Sequence, residues 1–175
     1  MTFHWEKLFR MACSLIDQVN GEHKLIDRWT FGGGTAMMLQ INHRDSHDVD
    51  IFLDDPQLLP FLDPAKRDFE FQIAPSAYQS DGTGSLKIAF DGIGEIDFIA
   101  SANLTDQPTT MREVLGREVL VETIPEIITK KRKRFYERSP AGHDFGTTSR
   151  QEIHRRKTLE YTNRIVRTQN GYCTG

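Results

Sequence analysis

Residues 31–52 read FGGGTAMMLQINHRDSHDVDIF, and no other stretch restricts the fold as tightly. "LIDRWTF" (25–31) predicts a short strand running into the glycines, "TAMMLQI" (35–41) a short helix, and "DVDIFL" (48–53) a second strand. Glycine lets the backbone approach a ligand closely, and the first turn of a helix exposes unpaired N–H groups carrying a partial positive charge. Gly33, Gly34 and Thr35 are therefore expected to cradle phosphate. No Gly-Lys-Ser/Thr follows and the spacing is not GxGxxG, so this is neither a Walker loop nor a dinucleotide fingerprint.

The aspartates give the glycines a purpose. Side chains alternate along a strand, which aims Asp48 and Asp50 at one face. Two such carboxylates raise each other's pKa unless a cation lies between them. Ligands that are all oxygen suit Mg²⁺ (or Mn²⁺), which keeps waters and takes phosphate oxygens to complete its shell. A third carboxylate comes from "GEIDFIAS" (94–101), a strand in which Asp97 and Glu95 face away from Ile96 and Phe98. Three carboxylates on neighbouring strands can hold two metal ions about 4 Å apart and stabilise both oxygens of an in-line phosphoryl displacement.

Around this centre, apolar residues from Trp5 to Val19 recur at three- and four-residue steps and predict a helix over 3–19, closed by Asn20-Gly21. "DDPQLLPFLDPAKRD" (54–68) is broken by proline and predicts a loop with one helical turn. "FEFQIA" (69–74), "SLKIAFDG" (85–92) and "REVLVE" (117–122) predict strands, the last after an "NLTDQPTT" loop. Thr123 and Glu126 have capping-box spacing with Pro125 between them, so a helix should start near 124. Residues 149–169 predict a basic helix with a thin apolar stripe. The expected class is α/β (α+β): one mixed sheet of five or six strands with an N-terminal helix and C-terminal helices. Residues 1–140 would form the core, and 141–175 a basic helical segment of the same domain.

A chain of 175 residues, 38% apolar and 27% charged, is long enough for a real core and too apolar for disorder. Its apolar runs fall far short of the ~20 residues that span a bilayer. The N-terminus lacks a signal-peptide layout, and Cys13 and Cys173 make no disulfide framework, so a cytoplasmic protein is expected. Charge is unevenly spread. Residues 130–175 hold 12 Lys/Arg against 4 Asp/Glu, whereas 1–129 hold 10 against 21. Such a basic quarter suits a polyanionic partner, with RNA the simplest, or a solvated helix face.

"GGTAM…NHRDSHDVDIF" resembles the signature of the AbiEii/AbiGii toxin-type nucleotidyltransferases of the DNA polymerase β-like superfamily. Gly33, Gly34, Thr35 and Ala36 match its first part, and His43, Arg44, Ser46, Asp48 and Asp50 match its second position by position. Asp97 fits the third acidic position. The resemblance implies polymerase β-like topology and transfer of a nucleoside monophosphate from a triphosphate to an acceptor such as RNA or protein. It makes Asp48, Asp50 and Asp97 the catalytic and metal-binding residues. Gly33, Gly34, Thr35, Arg44, Ser46 and Lys130 would bind the nucleotide, and the chain would be a toxin of a toxin–antitoxin or phage-abortive system, silenced by a cognate antitoxin. "IPEIITKKRKRF" resembles the family's Lys-rich helix start, offering Lys130 or Lys131, and Arg134, to the triphosphate. In "GHDFGTTSR" Asp144 is kept, with His143 and Thr147 where the family has arginine and a second aspartate. That departure supports a rival reading, a catalytically inactive nucleotide- or RNA-binding module of the same fold.

Other sites are less well supported. His43, His47, Asp48 and Asp50 do not make a zinc site or a His-Asp hydrolase pair, because His4, His23, His143 and His154 are scattered and supply no second cluster. Ser46 has no base or oxyanion arrangement around it in sequence and is not a nucleophile. Arg44 suits a phosphate contact or an ion pair with an aspartate.

Overall fold

The computed structural model describes residues 4–21 and 23–138. The expected helix over 149–169, the Asp144 motif with His143 and Thr147, His154, Cys173 and the whole segment 141–175 lie outside the described residues. Helix α1 spans His4–Val19, strand β1 Thr30–Gly32, helix α2 Gly33–Ile41 and strand β2 Val49–Leu53. A 3-10 turn, Pro56–Leu58, leads into the short helix α3, Leu59–Leu62. Then come β3 Ala77–Ser80, β4 Ser85–Phe90, β5 Gly94–Ala100, β6 Thr109–Val114, β7 Arg117–Glu122 and helix α4 Ile124–Arg138.

The seven strands of the described residues join one mixed sheet in the order β3-β4-β5-β2-β1-β7-β6, where five or six were expected. β1 runs parallel to β7 and β2 parallel to β5, and the remaining pairs are antiparallel. Burial alternates along β4, with Leu86, Ile88 and Phe90 inside, and the same parity buries Ile96 and Phe98 on β5 and Val49 and Ile51 on β2. α1 packs on this face through Leu8, Phe9, Leu15 and Ile16, none of them more than 1% exposed. Each such side chain contributes ~1.5–3 kcal/mol of burial.

The opposite face carries the polar members of the same strands. α4 lies over it at β2, where Lys130 Nζ is 4.3 Å from the centre of the Phe52 ring and Arg134 lies 5.5 Å from it. Phe52 has the parity of Asp50, so α4 shares the face on which Asp50 projects.

Three local expectations are corrected. The strand expected over 25–31 shrinks to Thr30–Gly32, because the Asn20 side chain takes both backbone groups of Ile26, accepting from its N–H at 2.8 Å and donating to its carbonyl at 2.9 Å. "FEFQIA" is not a strand. Phe69 and Phe71 pack on the core as irregular chain, Phe71 against Phe90, while Ala77–Ser80 takes the free edge of β4. α4 starts where expected, but Glu126 does not close a capping box. Its carboxylate accepts from Leu104 N–H and the Thr105 hydroxyl, and the Thr123 hydroxyl donates to the Gln107 carbonyl.

Candidate active site

Pairing register assembles one row of side chains across four strands. Gly32 on β1 pairs with Asp50 on β2, Asp50 with Asp97 on β5, and Asp97 with Lys87 on β4. Paired residues share a face, so Asp50, Asp97 and Lys87 stand side by side with the glycine turn at the end of the row.

The glycine turn is shaped to Asp50. Gly33 has φ +69°, a left-handed conformation that side chains disfavour, and a Cβ there would overlap the Asp50 carboxylate. Gly34 donates its N–H to that carboxylate. Burial first, then the charge of Asp97, pushes the Asp50 carboxyl up to about 6, against the pull of Arg134 and Lys131. Asp97 is also raised, by burial above all and by Glu95, with Lys87 opposing.

The loop between α2 and β2 folds back on the turn. The Thr35 side chain is fully buried, donating its hydroxyl to the Asp48 carbonyl and lying 3.1 Å from Ser46 Oγ. A Cβ on Gly34 would come within 2.8 Å of Ser46 Oγ and 3.2 Å of Arg44 Nη2, so these two side chains close over the start of α2. Asp48 stands just before β2, and its Oδ1 accepts from Glu95 N–H at 3.0 Å, tying the loop to β5. Gly33, Gly34, Arg44, Ser46, Asp50 and Asp97 are thus gathered, with Asp48 at their margin and Thr35 beneath them.

Lys130 is not among them. It is 4% exposed, 2.5 Å from Glu122 Oε1 and 3.4 Å from Glu126 Oε1, both carboxylates themselves buried. Glu122 accepts from the Thr30 hydroxyl at 3.1 Å, and its Oε2 lies buried without a hydrogen bond where a Cβ on Gly32 would overlap it. The cations of α4 that act on the aspartates are its neighbours: Lys131 on Asp50 and Arg134 on both Asp50 and Asp97. Lys131 and Arg44, after burial, also hold the His43 imidazole below its ordinary value. Sequence reading missed Lys87, whose ammonium bridges Glu95 and Asp97, at 3.2 Å from the latter. Only register could have revealed it.

Among the described residues no three His, Cys, Asp or Glu side chains are gathered closely enough to hold a metal ion by themselves. The Asp50–Asp97 pair does suit a cation whose shell is completed by phosphate and water. Two like charges sit in register, and the backbone beside one of them is bared of any Cβ.

Residues 15–150 match the family model described as nucleotidyl transferase AbiEii toxin of type IV toxin–antitoxin systems, and the chain belongs to this family. Among solved structures, the antibiotic-resistance factor ANT(2'')-Ia is similar over 95% of this chain and 92% of its own, at 16% identity and a TM-score of 0.50. A Thermotoga maritima protein described as a nucleotidyltransferase is similar over 87% of this chain and 92% of its own, at 15% identity and a TM-score of 0.46. At such identity the first likeness concerns the fold alone. No curated protein sequence matches the chain. Among the described residues no helix is long and apolar enough to cross a membrane.

Proposed function

We propose that the protein transfers a nucleoside monophosphate from a nucleoside triphosphate to an acceptor hydroxyl, with Asp48, Asp50 and Asp97 as the catalytic carboxylates. The observation that carries this reading is the register row in which Gly32, Asp50 and Asp97 stand abreast while Gly33 yields its Cβ position to the Asp50 carboxylate. The triphosphate enters beside the start of α2, where Arg44 and Ser46 close over Gly34. Thr35 acts from below, holding the loop that carries both residues. Lys131 and Arg134 take the phosphate-facing role that the family resemblance gives to Lys130, since Lys130 is engaged by Glu122 and Glu126. Asp97, at the open side of the row, faces the acceptor hydroxyl and orients it for in-line attack. Mg²⁺ or Mn²⁺ held by the aspartates would neutralise charge on the reacting phosphate and its leaving group. Family membership supports a toxin role with a cognate antitoxin.

The test is direct. The protein is incubated with each α-labelled triphosphate, Mg²⁺ or Mn²⁺, and total cellular RNA or protein. A labelled acceptor that disappears with Asp50→Asn is expected. Tight triphosphate binding with no labelled acceptor and no pyrophosphate under any of these conditions would favour the inactive binding module instead. Thermal stability should also rise with metal and triphosphate together, since they bind only the native state, and Asp50→Asn should remove most of that rise.

A further inference from the structure

The row does not end at the aspartates. Lys87 lies in register with Asp97 on β4, its ammonium between the carboxylates of Asp97 and Glu95. Its side chain is 40% exposed, against 23% for Asp97, so it can leave for water without unpacking the core. Among the described residues its hydrogen-bond and ion-pair partners are those two carboxylates. At the other end of the row Asp50 is held by the Gly34 N–H, with Lys131 and Arg134 acting on it as charges. The two ends therefore differ. Asp50 faces a fixed backbone donor, and Asp97 faces a movable cation.

We infer that Lys87 is a resident counter-ion at Asp97 whose ammonium competes with a divalent cation for that carboxylate. Lys87 is a positioning residue here, acting through Asp97. It keeps the carboxylate row partly neutralised while no nucleotide is bound, and it sets the metal affinity by competition. An ammonium beside Asp97 Oδ2 repels a divalent ion that approaches the same carboxylate, and so lowers its affinity there. The inference rests on the proposed metal role of Asp50 and Asp97, and the variants below separate the two.

Mn²⁺ alone is titrated into the full chain and the free ion followed by its electron paramagnetic resonance signal, with thermal melting confirming that each variant is folded. Lys87→Met should raise Mn²⁺ affinity roughly fivefold, the scale of a partly exposed charge pair. Lys87→Arg, which keeps the charge, should stay within about twofold of the parent. Asp97→Asn and Asp50→Asn should each lose most of the binding. If Lys87→Met leaves the affinity unchanged or lowers it while the aspartate variants lose binding, the counter-ion role is overturned and the metal reading stands. If the aspartate variants bind Mn²⁺ as the parent does, the metal reading fails and the inference fails with it.

Discussion

Two groups of charges share one face of the sheet and have opposite characters. In the first, Lys130 lies between Glu122 and Glu126, with side chains 4% and 0% exposed, and the carboxylates also take donors from Thr30, Leu104 and Thr105. In the second, Asp50 and Asp97 stand in register beside the Gly34 N–H and the exposed Lys87, with Lys131 and Arg134 acting on the pair from α4, and burial raises both carboxyls, as it raises that of Glu122 in the first group. The first group is closed, for it joins β1, β7, α4 and the loop before β6 and leaves no entry for a ligand. The second is open to solvent at Lys87 and Lys131. A buried ion pair is costly to break, and perturbed carboxylates that solvent can reach are where a ligand can enter.

The largest effect should come from breaking the closed group. Lys130→Met leaves two buried carboxylates without their cation and should cost about 3–5 kcal/mol in urea unfolding. Adding Glu122→Gln should restore part of that loss. A cost below ~1 kcal/mol would place Lys130 among the solvated cations and undo the contrast between the groups.

Next comes the pH dependence of the open group. Asp50 has a folded pKa of about 6 against an ordinary value of 3.8. The folded state therefore binds the extra proton between these values, and stability falls as pH rises from 3.8 to about 6. By linkage this group should cost up to about 3 kcal/mol above pH 6. Asp50→Asn should abolish that part of the decline and be the more stable protein at pH 7, while losing activity. Unfolding free energies from pH 4 to 7.5 check it, and identical profiles for both proteins would refute the strained carboxylate.

Gly33→Ala attacks the same group through the backbone. With φ at +69° and the Asp50 carboxylate in the way, it should cost about 2 kcal/mol by thermal unfolding and displace Asp50 from its row. The smallest effect on the fold is expected at Lys131. It is exposed and its charge reaches Asp50 from one helical step beyond Lys130. Lys131→Gln should change stability by less than about 0.5 kcal/mol yet weaken triphosphate binding roughly fivefold by calorimetry.

The sequence was most legible where side chains alternate between core and solvent. β2, β4 and β5 lie where their patterns put them, and parity aimed Asp50 and Asp97 at one face. Alternation reports burial and says nothing of pairing, which is why Phe69 and Phe71 imitated a strand. The edge strands β3 and β6 went unread for the converse reason, since Tyr78 and Met111 are 48% and 60% exposed and leave no apolar rhythm. Within the site, the choice between Lys130 and Lys131 turns on the rotational phase of α4, which depends on Glu122, a residue of another element. Lys87 was hidden because strand register is a property of two segments together.

The order of the strands also has a meaning in time. β1, which ends in the glycine turn, has its parallel neighbour β7 well over half of the described chain away, Thr30 against Leu120. On the ribosome the three aspartates emerge well before that neighbour does. Until residues 117–122 are made, β1 has one bare edge, open to pairing with any passing strand, and Glu122 has not yet come to press on Gly32. Lys131 and Arg134 emerge later still. A nascent chain halted before Arg117 thus carries every acidic residue of the site but lacks β7 and α4. Completion of the centre therefore waits on the synthesis of β7 and α4 by topology alone.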